Sequence, residues 1–157
     1  MRIVLAGALI AEVDQWVVTP AARARALGIK ASQVNNLLAG RMEKLTLSTL
    51  VRVALHAGIG VRLIAYRPGP SPSFREAETY YTMRVALVME LCQELETWPG
   101  KQAAKGHRLG ITAAQVSKLL SDGVDAFALG SLVRMATNAG IAMRMIVIQS
   151  VHNGAAL

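Results

Sequence analysis

The sequence predicts an all-α chain: two tandem units of about four to five helices, each ending in one short β-strand, related by a pseudo-twofold. Three observations carry that expectation. The chain repeats itself without a gap at an offset of 82 residues: Leu27-Gly28-Ile29 returns as Leu109-Gly110-Ile111, Gln33-Val34 as Gln115-Val116, and Leu37-Leu38 as Leu119-Leu120. Leu50-Val51-Arg52 likewise returns as Leu132-Val133-Arg134, Ala57-Gly58-Ile59 as Ala139-Gly140-Ile141, and Trp16 as Trp98. The composition is 53% hydrophobic but only 4% aromatic, so its apolar share is Leu, Val, Ile, Ala and Met, a mixture that favours helix. Within each copy the apolar residues fall at helical spacing. The expected organisation is a first domain at 1–66, a linker at 67–73, a second domain at 74–150 and a disordered tail at 151–157. Units of about 70 residues lie near the lower limit for independent folding, so each gains by burying surface against its twin.

In chain order, Leu5, Leu9, Val13, Trp16 and Val17 give a first helix one apolar stripe. Thr19-Pro20 is an N-cap followed by proline at the first helical position, and the second helix runs through Ala21, Ala24 and Leu27 to Gly28. A glycine just past a helix end takes the left-handed conformation that the reversal needs. A third helix starts near Lys30 to Ser32 with Val34, Leu37 and Leu38 inward. A fourth buries Leu47, Leu50, Val51, Ala54 and Leu55 and stops at Gly58. Val61 to Tyr66 and Met143 to Ile148 are β-prone, and the simplest way to satisfy two lone strands is to pair them with each other or with another chain. Arg67 to Ser73 holds three prolines and a glycine and reads as the linker. The second unit is expected to open with a helix from about Phe74 to Trp98, striped by Val88, Leu91, Cys92, Leu95 and Trp98. Its later turn contains Thr112-Ala113-Ala114-Gln115, a capping-box pattern; the first unit has Lys30 in the same place, a poor cap.

The net charge of +7 is unevenly placed: residues 1–72 carry nine Lys/Arg against three Asp/Glu, and residues 73–157 carry eight against seven. A basic face suits phosphate, an anionic surface or an acidic protein. The single cysteine, Cys92, excludes an intrachain disulfide framework and a multi-cysteine zinc site, and its apolar position reads as core. The chain suits a reducing compartment, and a cytoplasmic, nucleoid-associated place in a bacterial or phage setting is expected. No apolar run reaches the ~18 residues of a membrane span. Met1 to Ala11 has the look of a signal peptide, but its repeat partner at Arg84 to Gln93 is internal, so a mature helix is expected there.

The stretch Thr19 to Arg41 and its repeat have what a helix-turn-helix needs. Ala24 and Gly106 are small where the helices cross, and Gly28 and Gly110 sit at the turn. Val34 and Leu37, or Val116 and Leu119, lie inward beneath a polar outer face. Such a face can enter a major groove, which admits one α-helix. At these residues the chain resembles the Cro/phage-repressor (XRE) family, and within it the HigA-type antitoxin and small-repressor branch. The shared order is T-P-A-A-R-A-R-A-L-G-I, a polar helix ending in L-L-x-G, then L-x-x-L-V-R-x-A, a glycine and a terminal strand; it covers residues 5–66 and again 87–148. The resemblance implies base-reading positions at Ala31, Ser32, Gln33 and Asn36 in the first unit and at Ala113, Ala114, Gln115 and Lys118 in the second. Asn36 or Gln33 could pair bidentately with adenine, Lys118 could reach guanine, and the alanines could touch only thymine methyls. Arg41 and Lys44 would hold phosphates, helped by Arg23, Arg25, Lys30, Lys101 and Lys105. The chain departs from the family at Pro20, where a glutamine is usual and Gln102 keeps it in the second copy. After the second recognition helix stand Asp122 and Asp125, whose charge would oppose phosphate.

The implied function is sequence-specific double-stranded DNA binding by a transcriptional regulator. It would act as an intramolecular pseudo-dimer on an imperfect palindrome, since Ser32 and Asn36 differ from Ala114 and Lys118. The rival readings are an antitoxin or antiactivator that sequesters a toxin or activator protein, and an architectural DNA binder without sequence preference. A homodimer through the terminal strands is a further expected partner, and no membrane is. His56, His107 and His152 lack metal-ligand spacing. Glu90, Glu94 and Glu96 read as a solvated acidic face. With no nucleophile arrangement or phosphate loop, an enzyme, a cofactor or a metal is not expected.

Overall fold

A computed structural model describes residues 2–69 and 72–148. The helices are α1 (Arg2–Asp14), α2 (Pro20–Leu27), α3 (Ala31–Leu38), α4 (Leu47–His56), α5 (Tyr80–Thr97), α6 (Gln102–Leu109), α7 (Ala113–Ser121) and α8 (Leu129–Asn138). Short 3-10 turns occupy Met42–Lys44 and Gly123–Ala126. Three strands, β1 (Gly60–Arg67), β2 (Ser73–Ala77) and β3 (Ala142–Ile148), form one sheet in the order β2-β1-β3. The chain divides into two compact units, Met1–Arg62 with Ile146–Leu157 and Leu63–Met145.

This corrects the all-α expectation of two helix-turn-helix domains with one terminal strand each: the described chain mixes eight helices with a three-stranded antiparallel sheet. The error lies at residues 67–78. Arg67 to Ser73 was expected to be a linker, yet β1 and β2 flank it and pair antiparallel, from Arg67 against Ser73 to Leu63 against Ala77. Pro68, Gly69 and Pro72 lie between the two paired strands, where such residues suit a reversal of the chain. The expected helix from Phe74 therefore starts only at Tyr80, where the Thr79 hydroxyl accepts the Thr82 N–H and Thr82 reaches back to the Thr79 N–H. Ser73-Phe74-Arg75-Glu76-Ala77 shows only weak alternation, and its strand state comes from pairing with β1 and packing on α5. The expected tail at 151–157 lies outside the described residues.

The 82-residue repeat persists in hydrogen bonds that no residue pattern announces. The Arg2 guanidinium donates to the Met42 and Leu45 carbonyls, and Arg84 donates to those of Val124 and Phe127. Trp16 Nε1 donates to Glu12 and Trp98 Nε1 to Glu94. In both copies, then, an arginine in the N-terminal part of the first helix ties down the 3-10 turn, and an indole closes the end of that helix on a carboxylate one turn back.

The first unit has Leu5, Leu9, Leu27, Leu37 and Leu50 as fully buried core side chains, and the second has Met83, Leu87, Leu91, Leu109 and Leu119. Burial of one such side chain contributes about 1.5–3 kcal/mol.

Candidate nucleic-acid interface

The α2–α3 corner starts from residue chemistry. The Thr19 hydroxyl accepts the Ala22 N–H, Pro20 follows, and α2 ends where Gly28 turns left-handed at φ 65°. The Ile29 N–H then returns to the Ala24 carbonyl at 3.0 Å, closing the corner beneath a residue with no more than a methyl side chain. The second copy does the same, with Gly110 at φ 72° and the Ile111 N–H on the Gly106 carbonyl at 2.9 Å. A Cβ on Gly106 would stand 2.7 Å from the Ile111 carbonyl oxygen, so the second corner has no room even for alanine.

Each corner is also pinned from the fourth helix of its repeat. His56 Nδ1 lies 3.1 Å from the Leu27 carbonyl, and Asn138 Nδ2 donates to the Leu109 carbonyl at 2.9 Å. These positions are again 82 apart, and both side chains reach a carbonyl left over at a helix end. His56 and Asn138 are therefore structural pins, a role that their sequence positions alone do not announce. The signal available was that a nitrogen-bearing side chain recurs at one repeat position.

The recognition-helix positions fall as follows. Ala31, Ser32, Ala114, Gln115 and Lys118 are exposed; Gln33, Asn36 and Ala113 are half-buried. Gln33 Oε1 accepts the Lys30 N–H at 3.1 Å, and Gln115 Oε1 accepts the Thr112 N–H at 2.9 Å. A glutamine reads adenine with Oε1 and Nε2 together, so both glutamines are committed to starting their helices rather than to bidentate readout. The reciprocal bond, from the residue-115 N–H to Thr112 Oγ1 at 3.2 Å, completes the expected box in the second copy. Lys30 makes no side-chain cap, as its residue type implies. Asn35 and Ser117 are exposed on the same helices, beside the positions that the resemblance implies.

The expected phosphate cations divide. Arg25, Lys30, Arg41, Lys44 and Lys101 are exposed. Arg23 and Lys105, at equivalent repeat positions, are half-buried and tie the second helix to the end of the first: Arg23 donates to the Trp16 carbonyl and Lys105 Nζ to the Leu95 carbonyl at 2.7 Å. Arg108 lies over the Trp98 ring at 3.7 Å. Asp122 is exposed and accepts from the Ser121 hydroxyl at 3.0 Å; Asp125 is exposed with Arg84 3.9 Å away.

The acidic face read into α5 is corrected. Glu90 is fully buried, with Arg75 Nε 2.6 Å from Oε1, an ion-pair contact without hydrogen-bond alignment, and with Arg67 Nε 3.5 Å from Oε2. The Ser73 hydroxyl donates to the same carboxylate, so Glu90 fastens the β1–β2 hairpin onto α5. Glu94 is half-buried between Trp98 and Arg67, and of the three only Glu96 is exposed. Helical spacing places these carboxylates on α5 but says nothing of an unforeseen strand covering them.

Comparison with family models, with curated proteins and with solved structures gives no match. Among the described residues no helix is long and apolar enough to cross a membrane, and no group of three or more His, Cys, Asp or Glu side chains could hold a metal ion.

Proposed function

We propose that this chain binds double-stranded DNA through α3 and α7 and acts as a sequence-specific transcriptional regulator; the Cro/phage-repressor (XRE) resemblance belongs to the same proposal. The observation that supports it is a corner built twice by the same bonds: a left-handed glycine, a return bond across it, and a nitrogen-bearing pin from the fourth helix. What each corner holds outward is a short helix with small or polar exposed side chains: Ala31, Ser32 and Asn35 on α3, between Lys30 and Arg41, and Ala114, Gln115, Ser117 and Lys118 on α7, which also exposes Leu120 and ends at Asp122. Small side chains let a helix approach base edges, while flanking cations meet phosphates. The two helices are not alike: Ser32, Asn35 and Asn36 on one stand against Ala114, Ser117 and Lys118 on the other. A single chain of this kind suits two unequal half-sites, an imperfect palindrome.

The test exchanges the side chains that differ. Asn36→Ala and Lys118→Ala are each expected to cost about 1–3 kcal/mol of preference for the operator over a scrambled duplex, at different half-sites. If both variants keep the wild-type preference, base reading by these helices is overturned. Co-purification of a second protein chain together with failure to bind any duplex would favour the partner-sequestering reading.

A further inference from the structure

Strand alternation sorts β1 into two faces. Leu63 and Ala65 are buried, so Ile64 and Tyr66 stand on the opposite side of the sheet, where Tyr66 is 43% exposed. The antiparallel register sets Phe74 of β2, 62% exposed, directly across from Tyr66. Together with Ala142, Met143 and Arg144 of β3, these residues line a cleft of about 370 Å³. Every one of them belongs to the compact unit Leu63–Met145. A cleft of that size, walled by apolar and aromatic groups with few polar ones, has the form of a small-molecule site.

Neither ring is needed by the repeated fold. At the repeat offset Tyr66 corresponds to Ile148 and Phe74 to Ala156, whereas the corner residues recur. The chain has only two phenylalanines and three tyrosines, yet one of each stands exposed here. A cross-strand aromatic pair by itself braces a hairpin; the polar groups beside this one point to a ligand. Arg144 is exposed, and neither its guanidinium nor the Tyr66 hydroxyl bonds to another described residue. Arg67, Arg75 and Arg84 of the same unit are instead engaged, by Glu94, Glu90 and the Phe127 carbonyl. Glu76 pairs with Ile64 across the hairpin but does not line the cleft, so Arg144 is its one charged wall residue.

We propose that this cleft binds a small aromatic carboxylate. The ligand's ring packs against Tyr66 and Phe74, with Ile64 and Met143 completing the apolar wall. Its carboxylate accepts from the Arg144 guanidinium, whose planar fork matches two carboxylate oxygens, and from the Tyr66 hydroxyl. Both halves of the ligand are required by this pairing. A neutral aromatic leaves the guanidinium to water, and an aliphatic carboxylate forfeits the contact with the rings. This assignment does not depend on DNA binding.

The test titrates the full chain, without DNA, with naphthoate, with its neutral amide and with hexanoate, following backbone amide NMR shifts and the heat of binding. Naphthoate should bind saturably, one molecule per chain, with a Kd below about 1 mM. The shifts should centre on Ile64 to Tyr66, Phe74 and Ala142 to Arg144. The amide and hexanoate should each bind at least about tenfold more weakly. Arg144→Gln should weaken naphthoate at least about tenfold and erase its advantage over the amide, while leaving the thermal melt unchanged, because that side chain is exposed and holds no other described residue. Phe74→Ala, the independent second variant, should weaken naphthoate and the amide alike. Absence of saturable shifts up to about 5 mM naphthoate overturns the proposal. So do shifts centred elsewhere, equal affinity for the amide, or an Arg144→Gln chain that binds naphthoate as the wild type does.

Discussion

Replacing Gly28 by alanine tests the corner on which the recognition helix rests. Two costs are separable there. Gly28 has φ 65°, a conformation that costs an L-residue about 1–2 kcal/mol. The new Cβ would also stand 2.8 Å from His56 Nδ1, so the imidazole must move and its bond to the Leu27 carbonyl is lost, about 1 kcal/mol more. Gly28→Ala should therefore destabilise by about 2–3 kcal/mol, read from urea unfolding followed by circular dichroism. In the His56→Ala background the collision disappears, and the glycine change should cost only the backbone share, about 1–2 kcal/mol. The cycle then yields a coupling of about 1 kcal/mol. His56→Asn should be nearly neutral, since Asn138 does the same work at the repeat position. A Gly28→Ala cost below about 0.5 kcal/mol, or one that is the same with and without the imidazole, would refute the reasoning.

Two other outcomes follow from buried groups. Glu90→Ala leaves Arg75 and Arg67 facing each other beside Ser73; breaking such a pair costs about 3–5 kcal/mol when fully buried, and about 2–3 kcal/mol here because both arginines keep some access to water. Thermal melts should show that loss, with Glu90→Gln milder, and an unchanged midpoint for Glu90→Ala would contradict the anchoring of the hairpin. Cys92 is half-buried; desolvation, with the Glu96 charge adding to it, pushes its thiol above the ordinary value. Less of it is thiolate at neutral pH, so alkylation should be slower than for a free thiol and should rise only at more alkaline pH. Labelling at the rate of free cysteine would show the site to be open.

How much of this was legible depends on where the controlling partner sits in the chain. The α2–α3 and α6–α7 corners are local: Thr19-Pro20, Gly28, Gly110 and the Thr112–Gln115 box contain their own instructions, and the helices start and stop there. β2 is not local. Ser73 to Ala77 becomes a strand because β1 is beside it and α5 beneath it, with Glu90 holding Ser73 and Arg75. Its residues carry too little alternation to reveal partners six to fourteen residues back, and helix was the natural reading of the Glu- and Ala-containing run before α5. The same reason hides the roles of His56 and Asn138, each of which acts 29 residues from its partner. Arg23 and Lys105 show the converse limit: a cation in a basic stretch looks free for phosphate until the carbonyl it holds is seen.

Fluorescence anisotropy across a salt series reads the proposed DNA binding itself. The probes are a duplex from upstream of the gene and a scrambled duplex of equal length. Of the expected phosphate cations Arg25, Lys30, Arg41, Lys44 and Lys101 are exposed, so log affinity should fall with log salt at a slope of about −4 to −5. The upstream duplex should bind tighter by at least about a thousandfold if the site is specific. Failure of both duplexes to bind at low salt would contradict the account.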